Sequence, residues 1–304
     1  MTVTVQALGE VGVIRRVGRR LSRRASVQIG LGDDAALLRA PGQRQLLLLA
    51  SDMIVEGVHF RRGRVAAQAI GWKALACNVS DIAAMGGQPQ WAVVSLGLPS
   101  ATPVSFVDQL YRGLERCARR FGLSIVGGDT VRSPQVIVDL AILGTVRPRH
   151  LTLRSGARVG DVLFVTGRLG GSYRSGRHAT FTPRLREAHA LIRRMRIHAM
   201  MDLSDGLASD LWQMSRASRA ILRVEASRIP VSREAGTVRH ALMDGEDFEL
   251  LFAVSAQDAR RAPSRIGACP VTRIGSVARQ GIGVELQASN GRIEQLTPQG
   301  FRHF

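Results

Sequence analysis

Lysine is almost absent from this sequence of 304 residues. Lys73 is the single lysine among 42 basic residues, and 24 acidic residues oppose them, which gives a formal net charge of +18. Such one-sided arginine usage is typical of coding bias. The densest arginine run, residues 15–24, also has no aromatic side chain on which a base could stack. We therefore interpret this run as a solvated helix face, with binding to an anionic partner such as nucleic acid as the alternative.

Cysteine is also scarce, and long apolar segments are missing. The three cysteines are widely spaced and form no Cys-x-x-Cys pair. This excludes a zinc ribbon and a disulfide scaffold, and it indicates a reducing compartment. No apolar stretch reaches the roughly 18–20 residues of a membrane span, and residues 1–30 lack the apolar centre of a signal peptide. We expect a cytoplasmic protein without a membrane partner.

Aspartates are the most informative residues that are present, because several stand in short glycine- or serine-containing segments. A carboxylate beside a buried strand or helix costs free energy unless a cation or hydrogen bonds satisfy it. Clustered carboxylates with few histidines suit Mg²⁺ and the phosphates that it carries. The sequence therefore predicts a magnesium–nucleotide site assembled from several loops. The segments are GLGDDAAL (30–37), LLASDM (48–53), NVSDIAAMGG (78–87), VGGDT (126–130), MDLSDGL (201–207) and GEDFEL (245–250).

Each of these segments also has a simpler structural interpretation. Residues 30–35 match the G-x-G-x-x-A dinucleotide fingerprint, but two carboxylates in that turn would repel a pyrophosphate. A metal-carrying loop or a plain turn is therefore favoured there. The other candidates could be helix caps, tight-turn residues, acidic-loop residues or core residues, and they are His59, Asp81, Asp129, Asp202, Asp205 and Glu246.

Apolar periodicity predicts a mixed α/β (α+β) architecture in two domains. In the first half, strands are predicted at 45–50, 91–98, 123–126 and 136–143, and helices at 66–77 and 104–121. In the second half, strands are predicted at 162–166, 249–254, 271–274 and 282–286, and helices at 183–196 and 207–218. The polar segment 172–182 is predicted to be a mobile loop. A crossing segment at 147–156 divides the chain into an N-terminal domain (1–147) and a C-terminal domain (148–304).

Taken together, the motifs resemble those of the thiamine-monophosphate kinase family, in the same order and over residues 8–304. The matching segments are GLGDDAA, SDMIVEGVHF, GWKALACNVSDIAAMGGQP, IVGGDTVRS, LRSGARVGD, VTGRLGGS, MDLSDGLASDL and GEDFELLF. The resemblance implies a homodimer whose N-terminal domains join their mixed sheets into a shared β-barrel, with a C-terminal α/β domain beside each site. It also implies ATP-dependent conversion of thiamine monophosphate to thiamine diphosphate with several Mg²⁺ ions.

The same resemblance implies a role for individual residues. The Mg²⁺ ligands would be Asp34, Ser51, Asp52, Asp81, Asp129, Asp202 and Asp205. ATP would contact Gly128, Asp129, Arg154 and Ser204, and thiamine monophosphate would contact His59 and Glu246. Three features depart from the family pattern. Ala50 stands where a hydroxyl residue is common, Pro298 stands roughly where an aromatic residue is expected, and the segment 172–202 is short.

No protein nucleophile is needed for this reaction, because the phosphate of the acceptor, with a second pKa of about 6, is already anionic near neutral pH. We therefore expect direct, in-line γ-phosphoryl transfer. A related enzyme acting on another acceptor is the first alternative. The chain ends Arg302-His303-Phe304 without the cysteine of the hydrogenase-maturation dehydratase, and it lacks the N-terminal reactive cysteine of selenophosphate synthetase. An arginine-rich nucleic-acid-binding protein is the second alternative.

Overall fold

The computed structural model describes residues 4–19, 21 and 25–301, which form two mixed sheets with helices packed against them. Within these ranges the α-helices are α1 (Val5–Gly18), α2 (Ala67–Ala84), α3 (Val104–Phe121), α4 (Ser172–Ser175), α5 (Leu185–Arg194), α6 (Leu207–Ser218), α7 (Val238–Met243) and α8 (Ala256–Ala259). The strands are β1 (Val27–Ile29), β2 (Ala36–Leu38), β3 (Leu46–Val55), β4 (Gln88–Leu98), β5 (Ser124–Arg132), β6 (Ile137–Val146), β7 (Val162–Thr166), β8 (Ile197–Asp202), β9 (Ala220–Glu225), β10 (Leu250–Val254), β11 (Arg265–Ile266), β12 (Cys269–Gln280), β13 (Gly283–Gln287) and β14 (Ile293–Gln295). The predicted mixed α/β class is confirmed.

The first sheet has the strand order β1-β2-β3-β6-β4-β5 and is antiparallel except for the parallel pair β4–β5. Side chains alternate along β4 because successive residues of a strand point to opposite faces. Ala92 and Val94 are buried beneath the helices, whereas Trp91 and Val93 are exposed on the other side. One face of this sheet is therefore covered by α2 and α3. In a single chain the opposite face, which we call the open face, is exposed, and neither sheet closes into a barrel within the described ranges.

Helix α2 is buried nearly all round, with every residue from 70 to 80 inside the protein. It packs tightly on α3 because glycines allow the two backbones to touch. A Cβ atom at Gly71 would lie 1.9 Å from the carbonyl oxygen of Leu110, and one at Gly113 would lie 1.9 Å from that of Gln68. The helix predicted at 66–77 therefore extends further in the structure, to Ala84, and it forms the centre of the molecule.

The second sheet has the strand order β14-β13-β9-β12-β7-β10-β8, with β11 paired to β12, and β13 runs parallel to β9. Every residue of β7 and β10 is buried. The sequences of these central strands are nearly continuous apolar runs, because both faces of the sheet are covered. One face packs on α6, and the other faces α5 and the centre of the protein.

A shared core joins the two halves of the chain. The apolar cluster around α2 continues into side chains of β7, α5 and β10. The indole Nε1 of Trp72 donates a hydrogen bond to the carbonyl oxygen of Phe181 at 2.7 Å. The Phe181 ring stacks on Phe248 with 3.9 Å between ring centroids and 8° between planes. The second half is therefore packed directly against the central helix of the first.

The prediction of a mobile loop over residues 172–182 is wrong. The segment contains α4 and a 3-10 turn (Arg177–Ala179), and both Ser172 and Phe181 are buried. A buried carboxylate explains this order, since Asp247 accepts hydrogen bonds from Ser172 Oγ at 2.7 Å and from Gly170 N at 2.8 Å. Ser172 thus binds an internal partner rather than solvent, whereas Tyr173 and Arg174 are exposed.

Part of the arginine run lies outside the described residues, namely Arg20 and residues 22–24, and so do the final residues 302–304. The described part of the run begins in α1, which has no buried residue. Across the described ranges, no helix combines the length and the apolar composition needed to cross a bilayer.

Candidate active site

Four carboxylates from different elements meet beside α2, and we call them the carboxylate cluster. Asp34 precedes β2, Asp52 lies in β3, Asp81 lies in α2 and Asp202 ends β8. One oxygen from each of Asp34, Asp81 and Asp202 lies within 4.8 Å of the others. The Asp52 carboxylate lies near that of Asp81 and repels it, and Ser80 Oγ donates to Asp202 Oδ2 at 2.6 Å. Residues from both halves of the chain thus converge on one point.

Burial and mutual repulsion raise the pKa values of these groups. The pKa of Asp52 rises to about 6 and that of Asp202 to about 7, with loss of hydration as the first cause in both. The pKa of Asp81 lies well above its usual range because of burial, followed by repulsion from Asp52 and Asp202. Asp34 Oδ2 is buried without a hydrogen-bond partner in the described chain. This excess of negative charge and the oxygen donors fit a hard divalent cation such as Mg²⁺.

Arg154 links the carboxylate cluster to the second half of the chain. Its Nε donates to Asp34 Oδ1 at 2.9 Å, and its backbone N–H lies 3.2 Å from both carboxylate oxygens of Asp33. Its Nη1 donates to Gln213 Oε1 at 2.6 Å. The pKa of Asp33 nevertheless rises to about 7, first because of burial and then because Asp34 is adjacent. A single guanidinium does not neutralise this group of acids.

Gln213 in α6 forms hydrogen bonds with both Arg154 and Asp205. Its Nε2 donates to Asp205 Oδ2 at 3.1 Å and to Asp210 Oδ1 at 3.2 Å. Ser204 lies in the turn before α6, and its carbonyl oxygen accepts from Glu246 N at 2.7 Å. The predicted residues Ser204 and Asp205 therefore stand at the beginning of α6, next to the cluster.

Ser51, Asp129 and Gly128 lie in the first sheet, outside the group of closely spaced oxygens. Ser51 is on the open face, where its Oγ donates to Asp139 Oδ1 at 3.3 Å. Asp129 is exposed, pairs with Ser95 across the β4–β5 ladder and accepts from Thr130 N at 2.7 Å. A Cβ at Gly128 would lie 1.8 Å from the carbonyl oxygen of Val94, so close strand packing alone demands glycine there.

The residues predicted to bind the acceptor, His59 and Glu246, are joined by Lys73. The Lys73 ammonium donates to the carbonyl oxygen of His59 at 3.0 Å and forms an ion pair with the Glu246 carboxylate. The His59 ring accepts a hydrogen bond from Val55 N at its Nδ1, at 3.0 Å. The centroid of the His59 ring lies 6.2 Å from that of Phe301. The structure thus places both predicted residues at one locus.

Sequence reasoning missed Lys73, Asp210 and Gln213 as members of this network, and it gave no specific role to Asp33, one of the two carboxylates in the GLGDDAAL segment. Two signals were available. Lys73 is the single lysine of an arginine-rich chain and stands in an apolar helix, where a charged residue needs a partner. Asp210 and Gln213 are three residues apart on a predicted helix that follows the MDLSDGL motif, which places them on the same face.

The comparisons with known proteins agree with this architecture. The family model described as AIR synthase related protein, N-terminal domain, matches residues 32–146. The corresponding C-terminal domain model matches residues 158–287. The two sheets and the acidic site thus define an AIR synthase related protein.

More specific relatives identify the family. The chain is 39% identical to the thiamine-monophosphate kinase of Rhodopirellula baltica, over 91% of this chain and 92% of the relative. It is 33% identical to that of Escherichia coli, over 98% and 99% of the two chains. A solved complex of AaThiL with AMPPCP and TMP has a TM-score of 0.87 and 30% identity, and the match covers 100% of both chains. The chain belongs to the thiamine-monophosphate kinase family, and it is an enzyme, a thiamine-phosphate kinase.

Proposed function

We propose that this enzyme transfers the γ-phosphoryl group of ATP in line to thiamine monophosphate, with several Mg²⁺ ions held by the carboxylate cluster. The observation that carries the proposal is the approach of Asp34, Asp81 and Asp202 oxygens to within 4.8 Å of one another. The unpartnered Asp34 Oδ2 points to a ligand at this place. When bound, Mg²⁺ would offset the repulsion between two phosphorylated substrates and stabilise the charge of the transferred group.

On the nucleotide side, we propose that Arg154 and Ser204 contact ATP. Arg154 is a fixed cation between the two halves, held by Asp34 and Gln213. Guanidinium groups recognise phosphates through paired N–H donors. Gly128 and Asp129 on β5 are retained as ATP contacts from the resemblance. Ser51, Asp52, Asp129 and Asp205 would complete the set of Mg²⁺ ligands.

On the acceptor side, His59 and Glu246 have distinct chemistry. Because His59 Nδ1 accepts from Val55 N, the neutral ring carries its proton on Nε2 and can donate it to a phosphate oxygen. The Glu246 carboxylate suits the cationic thiazolium ring. Phe301 lies beside His59, and its backbone N–H donates to the Asp205 carbonyl oxygen at 3.1 Å. We propose that Phe301 supplies the aromatic surface that Pro298 cannot.

The acceptor phosphate itself is the nucleophile in this proposal. With a second pKa of about 6 it carries the required charge near neutral pH. The residues of the site therefore orient and neutralise rather than attack. No phosphorylated enzyme is formed.

An assay of ADP release with ATP, Mg²⁺ and thiamine monophosphate tests the proposal. We expect release to depend on both Mg²⁺ and thiamine monophosphate, and to be far slower with a panel of other phosphomonoesters. Faster turnover of another member of the panel would assign a different acceptor. Rapid-quench recovery of a labelled phosphoprotein that goes on to react would exclude direct transfer.

We propose that the enzyme is a homodimer joined through the open face of the first sheet. Five large apolar side chains with exposed fractions between 39% and 56% lie on this face, and they are Leu49, Met53, Trp91, Val93 and Val131. A contiguous exposed apolar patch of this kind marks an interaction surface. Pairing the open faces of two chains would form the shared barrel that the resemblance implies.

Replacing Val93 by glutamate should convert the dimer into a monomer, because a carboxylate on the open face would be buried without a partner at the interface. Light scattering coupled to gel filtration gives the mass directly. The matched control is Val104→Glu, since Val104 is 75% exposed at the beginning of α3, away from this face. A Val93→Glu protein that keeps the wild-type mass would refute this interface.

We propose the division of the chain between residues 147 and 148, because β6 ends at Val146 and β7 begins at Val162. The cytoplasmic location stays a prediction from cysteine usage. Cys77, Cys117 and Cys269 are free thiols, and all three are buried.

A further inference from the structure

Lys73 is buried in the middle of α2 with 1% of its side chain exposed. Burying an ammonium is costly unless hydrogen bonds and an opposite charge compensate for the lost hydration. Lys73 has both, because it donates to the His59 carbonyl oxygen at 3.0 Å and pairs with the Glu246 carboxylate. His59 and Glu246 are the two residues that the proposed function assigns to binding of the acceptor.

Glu246 is held in an unusual conformation. Its φ is +62°, and that of Phe248 is +49°, in the left-handed region that residues other than glycine rarely adopt. Such strain persists only where the surroundings determine the conformation, and it concentrates at functional sites. The backbone N–H of Glu246 is fixed by the Ser204 carbonyl oxygen at 2.7 Å, and its side chain is fixed by Lys73. Both ends of this residue are therefore held in place.

Lys73 also connects two separate parts of the chain. His59 follows β3 in the first half, whereas Glu246 precedes β10 in the second. Lys73 holds His59 through its carbonyl oxygen and Glu246 through its carboxylate. One ammonium thus sets the separation between the proposed phosphate-binding imidazole and the proposed thiazolium-binding carboxylate.

We propose that Lys73 is the positioning residue for the acceptor, fixing His59 and Glu246 at the spacing that thiamine monophosphate requires. This inference rests on the proposed function. It differs from a merely structural role of the ion pair, which would stabilise the fold without affecting one substrate more than the other.

The single lysine allows a direct test on the unaltered enzyme. Metabolic labelling with lysine carrying ¹³C at Cε gives one lysine resonance, that of Lys73. With Mg²⁺ present, we expect thiamine monophosphate to shift this resonance and AMPPCP alone to leave it nearly unchanged. If calorimetry shows that thiamine monophosphate binds while the resonance stays in place, the positioning role is refuted and the proposed function stands. If thiamine monophosphate does not bind, both proposals fail.

Kinetics of Lys73→Met give a second test. Loss of charged hydrogen bonds to two substrate contacts should raise the KM for thiamine monophosphate roughly 10- to 100-fold, while the KM for ATP changes less than about 2-fold. Lys73→Arg retains a charged donor and should recover part of the loss. Equal increases in both KM values, or no change in either, would contradict the proposal. If Lys73→Met does not fold, the resonance of the wild-type enzyme decides.

Discussion

Replacing Asp81 by asparagine should lower kcat by about three orders of magnitude or more and leave the protein folded. Asp81 lies at the centre of the carboxylate cluster, since it contributes an oxygen to the group with Asp34 and Asp202 and is repelled by the Asp52 carboxylate. Asparagine keeps the shape of the side chain but removes the charge that a divalent cation needs. The loss should therefore fall on the transfer step.

Steady-state rates and thermal unfolding with and without EDTA measure this outcome together. The pKa of Asp81 is raised in the folded protein, so the unfolded chain releases that proton first as the pH rises above about 4. The metal-free wild type therefore loses stability with rising pH, whereas Asp81→Asn should unfold at a higher temperature than wild type at pH 8 in EDTA. Asp108→Asn on the exposed surface of α3 is the matched control and should change neither quantity. An Asp81→Asn enzyme with normal turnover would remove Asp81 from the site.

Arg154→Met should destabilise the protein by about 3–5 kcal/mol, because it leaves buried carboxylates without their cation. The guanidinium pairs with the fully buried Asp34 side chain and hydrogen-bonds to Gln213. We also expect a large increase in the KM for ATP, since the proposed phosphate contact is lost. The effect on stability should exceed that of a surface arginine several-fold.

Urea unfolding in EDTA gives the free energy, and initial rates at varied ATP give the KM. Arg112→Met on the exposed side of α3 is the matched control and should change stability by less than about 0.5 kcal/mol. Arg154→Lys should fall between wild type and Arg154→Met, since one ammonium cannot reproduce the forked contacts of a guanidinium. A stable Arg154→Met protein with unchanged KM for ATP would assign this arginine to neither role.

Elements with clear periodicity were predictable from the sequence, and so were the continuous apolar runs of β7 and β10, whereas the edge strand β8 was not. The prediction for α3 is confirmed at Val104–Phe121, where the apolar residues recur on one face. β8 escaped prediction because its residues, IHAMMD, are all at least partly buried and show no alternation. The extent of α2 was also underestimated, since a helix buried all round lacks the polar face that reveals its period.

The site was predictable as a set of residues but not as an arrangement. The motifs named Asp34, Asp81 and Asp202, and the fold brings their oxygens together. Ser51 and Asp52 are adjacent in the sequence, and their motif did not show that they face opposite sides of the sheet. In the structure they pair with Ala141 and Leu140 on β6. Lys73 depends on Glu246, 173 residues away, and Gln213 on Arg154, 59 residues away, and no local motif encodes these two distant partners.

The shared core also limits how the enzyme can adapt to its substrates. Trp72 in α2 is bonded to Phe181, and Phe181 is stacked on Phe248 two residues after Glu246. A hinge motion between the N-terminal and C-terminal parts of the chain would break these contacts and expose apolar surface to water. Entry and release of substrates should therefore proceed by small movements of side chains, with the N-terminal and C-terminal parts of the chain keeping a fixed orientation.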